Sequence, residues 1–217
     1  MATITGTSGD DPLSSSGNDT FLPGDAQDVV YGSTGYDTVD YSDSSWVLTV
    51  SLPTGTTTGA GTDDLYGIKA VLGSDYADLI YGDSQANFHT GETGNDTLNG
   101  MTGDDLLYGG SGNDKLDGSD DDDTLYGGDG VDFVYGGAGN DGLYGGNDSG
   151  VDPMYGGDDI IDGGDGDDSL TGGTGEGLFV YADGDGTDTT IDFGSGDTIT
   201  RLGVVESELH SDDFSFA

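Results

Sequence analysis

Cysteine is absent from the 217-residue chain, proline occurs four times, and lysine and arginine together number three. No disulfide, thiolate metal site or cysteine nucleophile can therefore exist. Lys69, Lys115 and Arg201 cannot neutralise a phosphate backbone, which excludes nucleic acid as a partner and makes polyanionic polysaccharides and anionic lipid surfaces poor ones. Long hydrophobic runs are missing too. The longest apolar-looking stretch, residues 46–52, is far too short for a membrane span, and the opening MATITGTSGDDPL has neither a basic segment nor an apolar one. Export is expected to use another signal.

Glycine and acid fill the space. The chain has 44 glycines and 44 aspartate and glutamate residues, for a formal charge of −41, while apolar residues make up only 31%. Length alone suggests one domain. Low hydrophobicity with high net charge marks a disordered chain, unless a cation neutralises the acids and the apolar residues recur at a fixed position. Repetition supplies both conditions.

From Gly73 to Tyr144 the chain divides every nine residues without a gap: GSDYADLIY, GDSQANFHT, GETGNDTLN, GMTGDDLLY, GGSGNDKLD, GSDDDDTLY, GGDGVDFVY and GGAGNDGLY. Position one is always Gly, position six is Asp except at Asn87, and position eight is Ile, Leu or Val except at His89. GGNDSGVDPMY then has eleven residues and GGDDIID seven, after which GGDGDDSLT and a fading GGTGEGLFV resume the frame. Excess and deficit cancel, so the structural unit is expected to be eighteen residues, with Asp141 and Asp159 one unit apart. A weaker block, SSSGNDTFL, PGDAQDVVY and GSTGYDTVD, runs from Ser14 to Asp40. Between the blocks, alternation in WVLTVSL predicts a strand with Trp46, Leu48, Val50 and Leu52 on one face. PTGTTTGAGTDD reads as a loop, and LYGIKAVLG leads back into the repeats.

Many in-frame copies of G-G-x-G-x-D-x-U-x resemble the calcium-binding nonapeptide of the RTX (repeats-in-toxin), or hemolysin-type, family of secreted bacterial proteins. The resemblance is strong from Gly73 to Thr171 and weaker at both ends. It implies an all-β fold, a right-handed parallel β-roll with two nonapeptides per turn and a C-terminal cap. Six glycine-rich residues turn, and three form a short strand whose central side chain points inward. The core is then expected to stack Leu98, Leu116, Val134, Met154 and Leu170 on one wall and Leu107, Leu125, Leu143 and Ile161 on the other.

The same resemblance implies several calcium ions between turns, on the carboxylates of Asp19, Asp28, Asp37, Asp78, Asp96, Asp105, Asp114, Asp123, Asp132, Asp141, Asp152, Asp159 and Asp168. Backbone carbonyls complete each set. One site would use Gly110, Gly112, Asp114, Gly127, Asp129 and Asp132, and another Met101, Gly103, Asp105, Gly118, Asp120 and Asp123. Hard oxygen ligands suit calcium, whereas zinc and iron lack the N or S ligands they prefer. Asn87 and His89 spoil one unit, and Gly177 replaces the aspartate of the last.

Other motifs carry less. Gly137, Gly139 and Gly142 satisfy GxGxxG, but they belong to repeat turns and no helical pattern follows. DGDGTD at residues 183–188 resembles part of an EF-hand loop without its Gly and Glu. His89 and His210 are the only histidines, neither in HExxH, and no GxSxG exists, so the chain is not expected to be an enzyme. The end, LGVVESELHSDDFSFA, resembles the uncleaved signals of RTX proteins exported by type I secretion machinery, and it would also cap an open solenoid end. A Met start with such an end suggests a whole protein.

The expected organisation is degenerate repeats over 1–40, a strand-loop-strand insert over 41–72, the main roll over 73–180, and a cap with secretion signal over 181–217. A secreted, extracellular or cell-surface calcium-binding roll with a structural or self-assembling role, as a homo-oligomer or surface assembly, is the expected function. A calcium-folding accessory module of a larger protease, lipase or epimerase, or an adhesin module, are the rivals.

Overall fold

The computed structural model describes residues 1–59, 61–146, 159–166, 168–173, 178–181, 190–192 and 198–201. Among these every regular element is a strand, and the strands form a parallel β-solenoid with two walls, one sheet of ten strands and one of twelve. Each nonapeptide contributes one strand. The position-eight side chain is buried between outward neighbours, as Leu125 is between Thr124 and Tyr126. Leu98, Leu107, Leu116, Leu125 and Leu143 are completely buried. The early strands span three residues, such as Val29–Tyr31, whereas those of the main roll, such as Thr124–Asp129, continue through position three of the next repeat.

One wall pairs Leu107 with Leu125 and Leu125 with Leu143; the other pairs Leu98 with Leu116 and Leu116 with Val134. Beyond Val134 the walls differ from expectation. Val134 pairs with Ile161 and Leu143 with Leu170, so these two residues lie on the walls opposite to those the repeat count assigns them. The Asp132 and Asp141 amides reach Asp159 and Asp168, each 27 residues on instead of 18. The blocks of eleven and seven residues therefore count as two repeats in sequence, whereas among the described residues one strand, Ile160–Asp165, follows Gly142–Gly146 in the coil. A whole-repeat slip leaves the inward-facing residues unchanged and only exchanges the walls, so a period of nine cannot reveal it. Asp152 and Met154 lie outside the described residues, as do residues 183–188 and 209–217.

The insert also departs from its reading. Leu48 and Val50 are buried, but Trp46 is 58% exposed, so the alternation holds only for the centre of that segment. The supposed loop contains the strand Thr56–Thr58, which pairs antiparallel with Thr49–Ser51 and with Asp64–Tyr66. All three strands enter the twelve-stranded wall, between Val29–Tyr31 and Leu79–Tyr81. On the opposite wall Thr38–Asp40 pairs directly with Ala70–Leu72. Tyr41 and Thr57 are buried beside the added strands.

Candidate cation sites

Position six of each repeat ends the turn just before the strand, so the coil stacks the aspartates in two columns. Within a column each backbone amide donates to the carboxylate of the next turn: Asp96 N to Asp114 Oδ1 at 2.8 Å, Asp114 N to Asp132 Oδ1 at 2.8 Å, and likewise Asp105 to Asp123 and Asp123 to Asp141. This bond fixes one oxygen of each carboxylate. The second oxygen, Oδ2, is buried without a hydrogen-bond partner in Asp19, Asp28, Asp37, Asp96, Asp105, Asp114, Asp123, Asp132 and Asp141. Buried acceptors of this kind are costly unless a cation or donor meets them.

Glycine at position one makes room for that oxygen. A methyl group on Gly109 would lie 2.5 Å from both Asp114 Oδ2 and the Gly127 carbonyl oxygen; on Gly127 it would meet Asp132 Oδ2 at 2.5 Å and the Gly145 carbonyl at 2.6 Å. From Asp96 to Asp141 each repeat thus brings an orphaned carboxylate oxygen and a carbonyl oxygen of the next turn to one spot. Positions two and four are left-handed, as at Gly110 (φ 111°) and Gly112 (φ 143°). Met101 (φ 80°) and Ser119 (φ 83°) hold position two, and Asp121 (φ 79°) position four, against the preference of L-residues.

The columns are electrostatically unfavourable as bare acids. Burial pushes Asp96, Asp105, Asp132 and Asp141 up to about 7, Asp114 to about 6 and Asp123 to about 8, against the bond from the preceding amide. Neighbouring aspartates add to the rise in all of these but Asp114. A divalent ion beside Oδ2 would reverse that balance. No group of three or more His, Asp or Glu side chains converges among the described residues, so a cation would be held by carboxylates completed with backbone carbonyls. An all-oxygen set of that kind suits calcium.

The structure places Asp19, Asp28, Asp37, Asp78, Asp96, Asp105, Asp114, Asp123, Asp132, Asp141, Asp159 and Asp168 at buried column positions. They are not equivalent. Asp78 Oδ2 accepts from the Ser74 amide at 2.6 Å and the Ser74 hydroxyl at 2.9 Å. Two further acids occupy position six without standing out in the repeats: Asp11, whose amide donates to Asp28, and Asp63, whose Oδ1 accepts the Asp28 amide and whose Oδ2 accepts the Tyr41 hydroxyl. Lys69 holds position six between Asp37 and Asn87, since Ala70 pairs with both Thr38 and Phe88. The signal for Lys69 was present: extending the frame nine residues back from Gly73 gives DLYGIKAVL, with Gly at four, Lys at six and Val at eight. His89 fills the core between Val71 and Leu107, completely buried, its nitrogens without partners and its pKa lowered by burial to about 4.

A family model described as the RTX calcium-binding nonapeptide repeat matches the chain in four copies, over residues 5–39, 90–125, 117–151 and 155–178, together more than half of it. Comparison with curated proteins found no match. The segment between the first two matched copies is the one that contains Tyr41, Asp63, Lys69, Ser74 and Asn87.

Proposed function

The chain belongs to the family of RTX calcium-binding nonapeptide-repeat proteins, and from that premise we propose that it is a secreted calcium-loaded β-roll with a structural, self-assembling role outside the cell and no catalytic one. The observation that carries the reading is the row of buried Oδ2 atoms, which from Asp96 to Asp141 lie beside a carbonyl of the next turn. Asp96, Asp105, Asp114, Asp123, Asp132 and Asp141, with glycine carbonyls such as that of Gly127, would hold the ions. Calcium supplies positive charge and oxygen-seeking coordination between turns, and binding confined to the folded state adds to folding stability.

The outer surface supports assembly. Tyr108 and Tyr126 stack with ring centroids 4.7 Å apart, and Tyr126 and Tyr144 at 4.6 Å, with Phe88 5.8 Å from Tyr108. The ladder is thus built only when the turns are in register. Exposed aromatic surface on a strongly anionic protein favours a partner once repulsion between chains is reduced. The outward residues Ile160 and Asp162 follow Phe133 and Tyr135 on the opposite wall, not this ladder.

Light scattering of the purified chain with and without calcium tests the reading. Calcium is expected to increase particle size, and replacing Tyr108, Tyr126 and Tyr144 with Ser to reduce that growth while leaving the calcium-induced fold intact. Unchanged particle size in calcium refutes the assembly. Export is tested by removing residues 209–217, which should block secretion; normal secretion of the shortened chain sinks the signal.

A further inference from the structure

In the flanking blocks the position-six aspartates Asp28, Asp37 and Asp96 to Asp141 end in an unpartnered Oδ2, while Asp11, in the first turn, accepts from the Thr7 amide and hydroxyl. Across the middle of the chain they do not. Asp63 Oδ2 receives the Tyr41 hydroxyl at 2.7 Å, and that hydroxyl also lies 2.9 Å from Thr57 Oγ1. Both oxygens of Asp78 accept from Ser74, and Oδ1 also takes the Leu48 amide at 2.7 Å. Asn87 replaces the carboxylate with a neutral amide, whose oxygen accepts the Asp83 amide at 2.7 Å. Lys69 replaces it with a cation. Its Nζ donates at 2.9 Å to the carbonyl of Gly35, at position four of the preceding turn on its wall, and its charge acts on Asp37.

We propose that residues 41–87 form a metal-independent clamp in which the Lys69 ammonium, the Tyr41 and Ser74 hydroxyls and the Asn87 amide do what calcium does for the flanking turns. The calcium array is then two arrays, separated by a segment that stays folded without the ion. This rests on the calcium reading of the flanking repeats. Three further features agree. The clamp holds a dense set of buried apolar side chains, including Tyr41, Leu48, Val50, Leu65, Ile68 and Val71. It contains the antiparallel pairing found among the described strands, a local contact that forms without closing a long loop. It also lies where the family model leaves a gap. When calcium arrives, its two outer strands on the twelve-stranded wall, Asp64–Tyr66 and Leu79–Tyr81, are edges against which the flanking blocks wind.

Amide hydrogen exchange of the full chain, mapped by peptide in calcium and in excess chelator, tests this. In chelator, peptides from 1–37 and 91–146 should exchange at least ~10³-fold faster, while those from 41–87 stay within about tenfold of their rate in calcium. Fast exchange throughout overturns the clamp and leaves the calcium reading intact. Slow exchange throughout overturns both, because the flanks then need no ion. The double variant Lys69→Asp/Asn87→Asp should bind more calcium than the native chain by native mass spectrometry and lose its chelator-resistant protection. An unchanged calcium count, or a variant that calcium cannot fold, overturns the substitution of chain groups for the ion.

Discussion

At Asp63 the second carboxylate oxygen rests against the Tyr41 hydroxyl, whereas at Asp123, in the main roll, the equivalent oxygen is buried with no hydrogen-bond partner. The two residues occupy the same place in the same coil. Asp63 is raised to about 6 by burial, with the Tyr41 hydroxyl and Asp28 amide holding it down, while Asp123 reaches about 8 with only the Asp105 amide opposing burial and its neighbours' charges. A solenoid with so thin a core can stabilise its acids with its own donors or leave them for an ion. Donors need a particular side chain at a particular place, as Tyr41 is for Asp63 and Ser74 for Asp78; an ion needs only Asp and Gly, which can be copied indefinitely.

Chelation should separate the regions most strongly. Circular dichroism in excess chelator at pH 8 is expected to lose most of its β signal, with a remnant from the clamp; a full β signal there would remove the contrast. Acid should then substitute for calcium. Because the folded-state values of Asp96, Asp105, Asp114, Asp123, Asp132 and Asp141 lie above the ordinary 3.8, their protonated forms favour the fold. That contribution is complete below about pH 4 and is lost as pH rises through about 6 to 8. The chelated chain should therefore regain β signal near pH 5, while the calcium-loaded chain is weakened by the same acidification as protons compete for Oδ2. A chelated chain with equal signal at pH 5 and pH 8 would contradict this.

Single substitutions sharpen the comparison. Gly109→Ala puts a methyl group against Asp114 Oδ2 and the Gly127 carbonyl, so the calcium midpoint for folding should rise by roughly tenfold, about 1.4 kcal/mol. Tyr41→Phe leaves a buried Asp63 oxygen unpartnered and should destabilise the clamp by about 1–3 kcal/mol, by similar amounts with and without calcium. If its effect vanishes in calcium, the clamp is not independent of the ion. Smallest is Met101→Gly, which relieves a left-handed residue at position two. It should stabilise the calcium-loaded roll by about 0.5–1 kcal/mol, the strain released less the added freedom of the unfolded chain.

Much of the roll was legible because each repeat states its own geometry. Leu98, Leu107, Leu116 and Leu125 declare the inward face, and the aspartates two residues before them declare the columns. What escaped was whatever the repeat leaves undetermined. Ile161 and Leu170 exchange walls relative to the repeat count because both walls use one pattern and the lost half-turn is masked by a compensated count. Trp46 shares the alternation of Leu48 and Val50 but not their burial, because the pattern outlasts the strand Thr49–Ser51. Lys69 does not announce itself because its repeat, DLYGIKAVL, has lost the leading Gly and the Asp by which the others are recognised. Tyr41 could not be paired with Asp63 from sequence, since that contact depends on a hairpin entering one wall.

The unequal walls have a geometric consequence. Strands lie about 4.8 Å apart, so the added antiparallel pair makes one side of the molecule roughly 10 Å longer than the other over the same stretch. The buried Tyr41 sits at this mismatch, its hydroxyl bonded to Thr57 of the added pair and to Asp63, so one side chain ties the longer wall to the turn that leaves the shorter one.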